Sequence, residues 1–161
     1  MRFIYGIFVI IFASTALAVN QIPDQFVGKW SVEKSDNFDE FLTAKGYGWL
    51  MRTLVKNSGM TKVFEKSGAT FNYKILTPTK DVIWNGIHFG QPYVGEYLDD
   101  SRHQVIFTYD PREHKLVEEH VNLDKPNERQ DSYSYTIQGP YLVNRLEYNG
   151  VVSNRYFRKV A

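Results

Sequence analysis

The sequence predicts a mainly β fold, in which a meander of short antiparallel strands is interrupted once, after its first strand, by a helix-turn-helix. Its 11 Tyr, 11 Phe and 3 Trp residues often alternate with polar residues at the two-residue period of strands that lie between water and a core. Turn signals recur at short intervals, as an up-and-down meander requires. The chain has no cysteine, so a closed sheet would have to provide the stability that small secreted domains often take from disulfides.

The first 18 residues contain the three parts of a secretory signal. Arg2 precedes an apolar run from Phe3 to Phe12, and the segment Ala16-Leu17-Ala18 provides the small residues of a cleavage site. The run is shorter than the roughly 20 residues that cross a bilayer as a helix. We therefore expect residues 1–18 to be removed, residues 19–161 to form one domain, and the mature protein to be secreted and extracellular.

Charge and residue spacing exclude several classes of function. Without Arg2, the basic residues balance the 18 acidic ones, so we expect no nucleic acid partner. The run Glu118-Glu119-His120 lies in a predicted strand, where neighbours face opposite ways, and we interpret it as a charged strand without a site. We predict no enzyme activity, no metal and no cofactor. No zinc-binding spacing joins the four histidines, which are His88, His103, His114 and His120.

A helical segment follows the first strand. The strand begins at Gly28, and from Asn37 to Asn57 the residues become good helix formers with a longer hydrophobic period. Gly46 and Gly48 interrupt this run and predict two short helices joined by a turn. The helix pair would lie over one opening of the sheet as a lid.

The second predicted helix is amphipathic. Its polar stripe carries Arg52 and Lys56, and Lys62 follows it along the chain. We expect these three cations to face solvent, where a transient contact with anionic membranes is open to them. The apolar stripe should lie against the sheet, and it consists of Leu50, Met51, Leu54 and Val55.

Nine further strands are predicted from the alternation of apolar and polar residues and from the turns between them. The interval from Lys80 to Gly95 is more aromatic than a simple hairpin needs. We therefore expect a protruding loop there and treat it as a candidate contact surface. The predicted strands run from Lys62 to Glu65, Thr70 to Leu76, Asp81 to Trp84, Tyr93 to Leu98, Gln104 to Tyr109, Lys115 to Leu123, Ser132 to Gln138, Tyr141 to Tyr148 and Val151 to Lys159.

The last hairpin allows its facing residues to be predicted. Asn149-Gly150 is a strong signal for a two-residue turn, and such a turn determines the register of the strands. Counting outward pairs Asn144 with Arg155 and Leu142 with Phe157, all on one face. A guanidinium on the inward face is costly unless an anion neutralises it. The hairpin has no inward carboxylate, so the missing anion can be a ligand's.

Several of these segments resemble the fatty-acid-binding protein family, and most of all its secreted nematode members. The match covers nearly the whole chain after the predicted signal. The start of the family pattern, with its alternating small, aromatic and aliphatic residues followed by a helix start, is matched by Gly28, Trp30, Val32, Asn37, Phe38 and Asp39. Further matches are the pair Phe41-Leu42, Lys45, the glycine break at Gly46 and Gly48, the segment from Phe89 to Tyr93, and the closing Asn-Gly hairpin with its arginine.

The resemblance implies a ten-stranded antiparallel up-and-down barrel, capped by the two helices that follow the first strand. It also implies a cavity that holds one long-chain fatty acid or a similar lipid, with a retinoid as an alternative ligand. The protein would be a monomeric carrier. A barrel of this size encloses more volume than its own side chains need to fill.

The resemblance further implies which residues hold the ligand. In the family, an arginine of the last strand and a tyrosine two residues later bind the carboxylate. Arg155 matches the arginine, but Phe157 stands in place of the tyrosine, which removes a hydrogen bond that contributes about 1 kcal/mol. Tyr135, where some members have a second inward arginine, is predicted to replace that bond. The other predicted contacts are Asn144, opposite Arg155, and the portal residues Phe38, Leu42 and Leu54.

Two other interpretations stay open. A lipocalin also begins with Gly-x-Trp, here Gly28-Lys29-Trp30, and carries another kind of hydrophobic ligand, although it lacks a helix pair after its first strand. An extracellular protein-interaction module would instead fill its barrel with its own aromatic side chains and bind proteins through its loops. A purified protein that carries no extractable lipid and displaces no lipid probe would identify such a module.

Overall fold

The computed structural model describes residues 21–161, which form one ten-stranded antiparallel sheet and two helices. The predicted barrel with a helix-turn-helix after its first strand is confirmed, and the predicted signal, residues 1–18, lies outside the described residues. Within residues 21–161, no helix has the length and apolar character needed to span a membrane. The elements are β1 (Gly28–Asp36), α1 (Phe38–Ala44), α2 (Trp49–Asn57), β2 (Thr61–Ser67), β3 (Thr70–Leu76), β4 (Asp81–Ile87), β5 (Tyr93–Glu96), β6 (Arg102–Asp110), β7 (Lys115–Asn122), β8 (Ser132–Gln138), β9 (Tyr141–Tyr148) and β10 (Val151–Lys159).

The two edge strands of the sheet, β4 and β5, meet through side chains and complete the barrel. The strands pair in the order β4-β3-β2-β1-β10-β9-β8-β7-β6-β5. The indole Nε1 of Trp84 on β4 donates a hydrogen bond to the carbonyl oxygen of Glu96 on β5, at 3.0 Å. Gly95 permits this approach, because a Cβ there would come within 2.5 Å of the same nitrogen. Trp84 is buried, so this seam belongs to the core.

Strand direction divides the barrel into two ends. Antiparallel neighbours alternate in direction, so α1, α2 and the turns after β3, β5, β7 and β9 lie at one end, which we call the helix end. The turns after β2, β4, β6 and β8 lie at the opposite end, which we call the closed end. The chain enters β1 at the closed end through a short 3-10 turn, Asp24–Phe26, where Lys66 of β2 forms an ion pair with Asp24.

Apolar side chains that precede β1 fill the closed end. Ile22 and Phe26 are fully buried. The ring of Phe26 packs edge-on against Tyr109, with ring centroids 6.1 Å apart, and its carbonyl oxygen accepts a hydrogen bond from Trp30 Nε1 at 2.9 Å. Burial of a side chain of this size contributes about 1.5–3 kcal/mol. The segment before β1 therefore seals the barrel at this end.

The last hairpin has the predicted register. Asn144 lies opposite Arg155, and Leu142 lies opposite Phe157. Asn149 and Gly150 form the turn with φ angles of +49° and +80°, which is the left-handed conformation that two-residue hairpin turns require. The inward direction of Arg155 thus follows from the turn that was read in the sequence.

The prediction that the apolar stripe of α2 packs against the sheet is wrong for Leu50 and Leu54, whereas Met51 and Val55 border the barrel interior. Leu50 and Leu54 are each 55% exposed. On the polar stripe, Arg52 Nε and Lys56 Nζ both contact Asp39 Oδ1 of α1, at 3.2 and 3.1 Å. These two ion pairs link α2 to α1 at the surface, and the Lys56 side chain stays 44% exposed, as expected for this stripe.

The interval from Lys80 to Gly95 is not a protruding loop, which corrects a second prediction. It contains β4 and the start of β5, joined by residues 88–92 at the closed end, away from the helices. Ile87 is buried, and the ring of Phe89 packs against Phe71 with centroids 5.0 Å apart. The aromatic residues that suggested a contact surface belong mainly to the core.

We predict that Phe26→Ala lowers the free energy of unfolding by about 3–5 kcal/mol, because the truncation leaves a cavity at the closed end. Urea denaturation followed by tryptophan fluorescence measures this change. Val160→Ala is the control: its side chain is 56% exposed, and the expected change is below about 0.5 kcal/mol. Similar values for the two variants would contradict the role of Phe26 in sealing the barrel.

Candidate ligand-binding cavity

A cavity of about 520 Å³ lies in the barrel beneath the helices. This volume is within the range of small-molecule sites, roughly 300–1,000 Å³. This space at the helix end argues against an interaction module whose barrel is completely filled, although aromatic side chains do pack across the interior elsewhere, as Phe71 does against Phe107. The apolar part of the wall includes Phe38, Phe41, Leu42, Ile75 and Leu146, and the polar part includes Lys62, His103, His120, Asn144 and Arg155.

Arg155 lies on the cavity wall near the helix end. It is 5% exposed, its Nε donates to Ser35 Oγ at 3.1 Å, and its guanidinium carbon lies 4.3 Å from the ring centre of Phe38. Burial lowers the pKa of Arg155 to about 10. Within residues 21–161, four arginines form ion pairs with carboxylates, and Arg155 is not one of them. Its charge is therefore buried without a neighbouring carboxylate.

The other predicted contacts divide into three groups. Phe38, Leu42 and Asn144 border the cavity together with Arg155. Tyr135 and Phe157 are fully buried in the packed wall, and they are not among the residues that line the cavity. Leu54 is 55% exposed and is not among the residues that line the cavity. Met51 and Val55 are the α2 residues that border the cavity.

A second cation, Lys62 of β2, lies inside the barrel and not on the outer surface, which corrects the prediction. It is 4% exposed and borders the cavity. Its Nζ donates to the hydroxyl oxygens of Tyr73 and Tyr135, at 2.7 and 2.9 Å. Burial lowers the pKa of Lys62 to about 8, although the charge of Glu118 acts in the opposite direction.

Glu118 provides the negative charge that balances Lys62. It is 1% exposed, and its carboxylate accepts hydrogen bonds from the Tyr135 hydroxyl at 2.5 Å and from His120 Nε2 at 2.6 Å. Burial acts to raise the pKa of Glu118, but the hydrogen bond and charge of His120 and the charge of Lys62 hold it below its ordinary value. As predicted, residues 118–120 lie in a strand whose neighbouring side chains alternate, but Glu118 and His120 are buried and hydrogen-bonded to each other. Because its hydroxyl donates to Glu118, Tyr135 is also not free to replace the missing tyrosine.

Hydrogen bonds continue from Glu118 to the helix end. The Nδ1 atoms of His120 and His103 are 2.9 Å apart, and His103 Nε2 lies 3.0 Å from Asp99 Oδ2, in the turn after β5. Among residues 21–161, no three His, Asp or Glu side chains are arranged to hold a metal ion. We call the connected set the interior network, and it consists of Lys62, Tyr73, Tyr135, Glu118, His120, His103 and Asp99.

Strand alternation is the signal that could have found the interior network. Successive side chains of a strand point to opposite faces, and Glu118 and His120 are in phase with Leu116, which is fully buried. Lys62 is likewise in phase with Phe64, another fully buried residue. The charge of Lys62 favours an outward position, but the period of the strand is the better guide. The pairing of Lys62 with Tyr73 and Tyr135 has no comparable signal, since three strands supply it.

Comparisons with known proteins agree on one family. No family model matches the sequence. The chain is 35% identical over 149 residues to fatty acid-binding protein homolog 2 of Caenorhabditis elegans, with 91% of each chain covered. It is 32% identical over 158 residues to the fatty acid-binding protein homolog of Ascaris suum, with 95% of each covered. The solved structure of As-p18, an extracellular fatty acid binding protein, matches with a TM-score of 0.80 and 34% identity, covering 86% of this chain and 98% of that one.

We predict that Glu118→Gln lowers the free energy of unfolding by about 3–5 kcal/mol at neutral pH, because it leaves Lys62 buried without its balancing charge. Glu119→Gln is the matched control, since the neighbouring carboxylate is exposed and its loss should change stability by less than about 0.5 kcal/mol. Chemical denaturation of both variants measures the difference. Equal stability of the two variants would count against an ionised Glu118 in the interior network.

The pH dependence of stability provides a second check on Glu118. Folding lowers the pKa of this carboxyl below its ordinary value of 4.5. Its contribution to stability is therefore complete above the unfolded pKa, and it is lost as the pH falls through the folded pKa. Between neutral pH and about pH 3, the wild type should lose more stability than Glu118→Gln. Parallel curves would show that Glu118 titrates alike in both states.

Proposed function

The chain belongs to the fatty-acid-binding protein family, and on this premise we propose that it is a secreted, monomeric carrier for one long-chain fatty acid or related apolar anion. The ligand carboxylate binds beside Arg155, and the alkyl chain lies along the apolar wall of the cavity. The names of the relatives, and the description of As-p18 as extracellular, support this proposal. Removal of residues 1–18 belongs to the same proposal. The protein acts by binding and not by catalysis.

The observation that carries the proposal is the unbalanced charge of Arg155. A buried ion costs several kcal/mol unless a partner of opposite charge compensates it. Glu118 already balances Lys62, whereas the contacts of Arg155 within residues 21–161 are with a hydroxyl, a thioether and aromatic rings. A carboxylate that entered the cavity would therefore gain most beside Arg155.

Asn144 is the second group that we assign to the headgroup site. It lies directly opposite Arg155 on β9, is 1% exposed, and borders the cavity. Its Nδ2 makes one long hydrogen bond, of 3.3 Å, to the carbonyl oxygen of Ser134. An amide nitrogen has two N–H donors, so one remains for a ligand oxygen. Asn144 thus takes the role that Phe157 cannot fill.

We predict that Arg155→Gln weakens oleate binding by about 10- to 100-fold, because hydrogen bonds to charged groups contribute roughly 1.5–3 kcal/mol. Displacement of an environment-sensitive fluorescent fatty acid from delipidated residues 19–161 measures the affinity. Arg158→Gln is the matched control, since Arg158 lies on the same strand, faces outward and pairs with Glu33. The Arg158→Gln variant should bind oleate with the same affinity as the wild type.

The outcomes of this experiment separate the parts of the proposal. If Arg155→Gln binds oleate as tightly as the wild type does, the protein is still a carrier, but the ligand carboxylate binds elsewhere in the cavity. Retinol, which has no carboxylate, should bind the wild type and Arg155→Gln equally if the cavity also admits retinoids. Failure of any lipid to displace the probe would overturn the carrier proposal.

We also propose that the outer face of α2 touches membranes when the ligand is transferred. Trp49 is 72% exposed, and Leu50 and Leu54 are each 55% exposed. A helix that presents tryptophan and leucine to solvent is typical of contact with the lipid interface. The opposite side of α2 borders the cavity through Met51 and Val55, so such a contact would adjoin the ligand.

We predict that Leu54→Asp slows transfer of a fluorescent fatty acid to anionic vesicles by about tenfold, since one buried leucine contributes about 1.5–3 kcal/mol. Binding in solution should stay unchanged, because Leu54 does not border the cavity. Val160→Asp, which places the same charge at the other end of the barrel, is the control. Trp30 and Trp84 are buried, so quenching by brominated lipids would report on Trp49. Equal transfer rates in both variants would exclude this contact.

A further inference from the structure

Lys62 combines features that the proposed headgroup site does not use. It is the one buried lysine within residues 21–161, and it borders the cavity. Its nearest balancing carboxylate, Glu118, is reached through the hydroxyl of Tyr135 and not by direct contact. Among the described residues no carboxylate contacts Nζ directly, so a ligand in the cavity would compete with the two tyrosine hydroxyls, and not with an ion pair, for the amine.

The environment of Lys62 favours the form of the amine that reacts with carbonyl groups. Burial lowers the pKa of Lys62 to about 8, whereas an exposed lysine titrates near 10.4. At neutral pH, the neutral fraction is therefore roughly 100-fold larger at Lys62 than at the surface. Proteins use desolvated lysines of this kind to form Schiff bases with carbonyl compounds.

We propose that Lys62 captures long-chain aldehydes in the cavity as a reversible Schiff base. The lone pair of the amine attacks the aldehyde carbon, and the oxygen gains a proton as the nitrogen loses one. The resulting carbinolamine then expels water and leaves an imine. One amine and one aldehyde give one imine and one water, with no oxidant or reductant. The inference rests on the proposed function in one respect, namely that the cavity admits an alkyl chain.

The neighbours of Lys62 suit each step of this reaction. Tyr73 and Tyr135 lie within hydrogen-bond distance of Nζ, and their hydroxyl oxygens are 3.0 Å apart. Burial raises the pKa of both phenols well above the ordinary value, so they stay protonated. Tyr135 donates its proton to Glu118, which leaves the Tyr73 hydroxyl as the group that can pass a proton between nitrogen and oxygen. The ionised Glu118 accepts from Tyr135 and balances the positive charge when the imine is protonated.

The cavity selects aldehydes with an apolar chain. Phe38, Leu42 and Ile75 line it, and each buried methylene contributes about 0.8 kcal/mol. A small polar aldehyde gains little from such a wall. An aldehyde also carries no charge, so it does not need the anion site at Arg155. The two chemistries therefore use one cavity and different polar groups.

The test is reductive trapping of the imine on delipidated protein. Hexadecanal is the probe, because a saturated aldehyde forms imines and cannot undergo conjugate addition to histidine. After reduction with cyanoborohydride, intact mass and peptide mapping should show one hexadecyl group per chain, on Lys62. Labelling of Lys62 should exceed that of Lys66, an exposed lysine of the same strand, by about tenfold or more. The rate should rise with pH and reach its midpoint near the pKa of Lys62, about 8.

Two variants and a competition complete the design. Lys62→Met should lose the adduct, and Lys66→Met should keep it. In the wild type, excess oleate should suppress labelling of Lys62 and leave that of Lys66 unchanged, which tests the site even if Lys62→Met does not fold. An adduct spread over surface lysines, or one that oleate does not affect, would overturn the inference. Oleate displacement without any Lys62 adduct would overturn this inference alone, whereas failure of both assays would also remove the proposed function.

Discussion

The interior of this barrel is organised by the cost of burying charge. Lys62 and Arg155 both lie within the wall, exposed by 4% and 5%, and a buried ion needs a compensating partner. Glu118 compensates Lys62 through Tyr135, while Arg155 has only weak polar contacts among the described residues. This asymmetry is the reason that one cation is suited to hold an anion and the other to react as an amine.

Stability and function are separated along the barrel axis. At the closed end, Ile22, Phe26 and Trp30 are buried and hold the sheet together without any disulfide. At the helix end, α2 contains no buried residue and is held to α1 by ion pairs with Asp39. Elements with little burial open at low free-energy cost. We therefore expect ligands to enter the cavity at the helix end, beside α2.

Local signals in the sequence differ in how much of the tertiary structure they specify. Asn149-Gly150 specifies a turn, and a turn specifies the partners of every residue along the hairpin, which is why Arg155 was placed correctly. The stripe on α2 specifies that the helix has two faces, but not which face meets the protein. That choice depends on residues outside α2, among them Asp39 of α1, which pairs with Arg52 and Lys56. The direction of Lys62 was readable from alternation, yet its charge argued for the opposite face.

The sequence by itself determined the strand meander, the helix pair after the first strand and the inward face of the last hairpin, because these depend on contacts between residues close in the chain. Only the tertiary structure decided which charges are paired. Lys62, Tyr135 and Glu118 belong to three different strands, and they meet across the barrel interior. Alternation specifies the face of each side chain, but the distance between side chains across a closed sheet depends on its curvature, which no local pattern encodes.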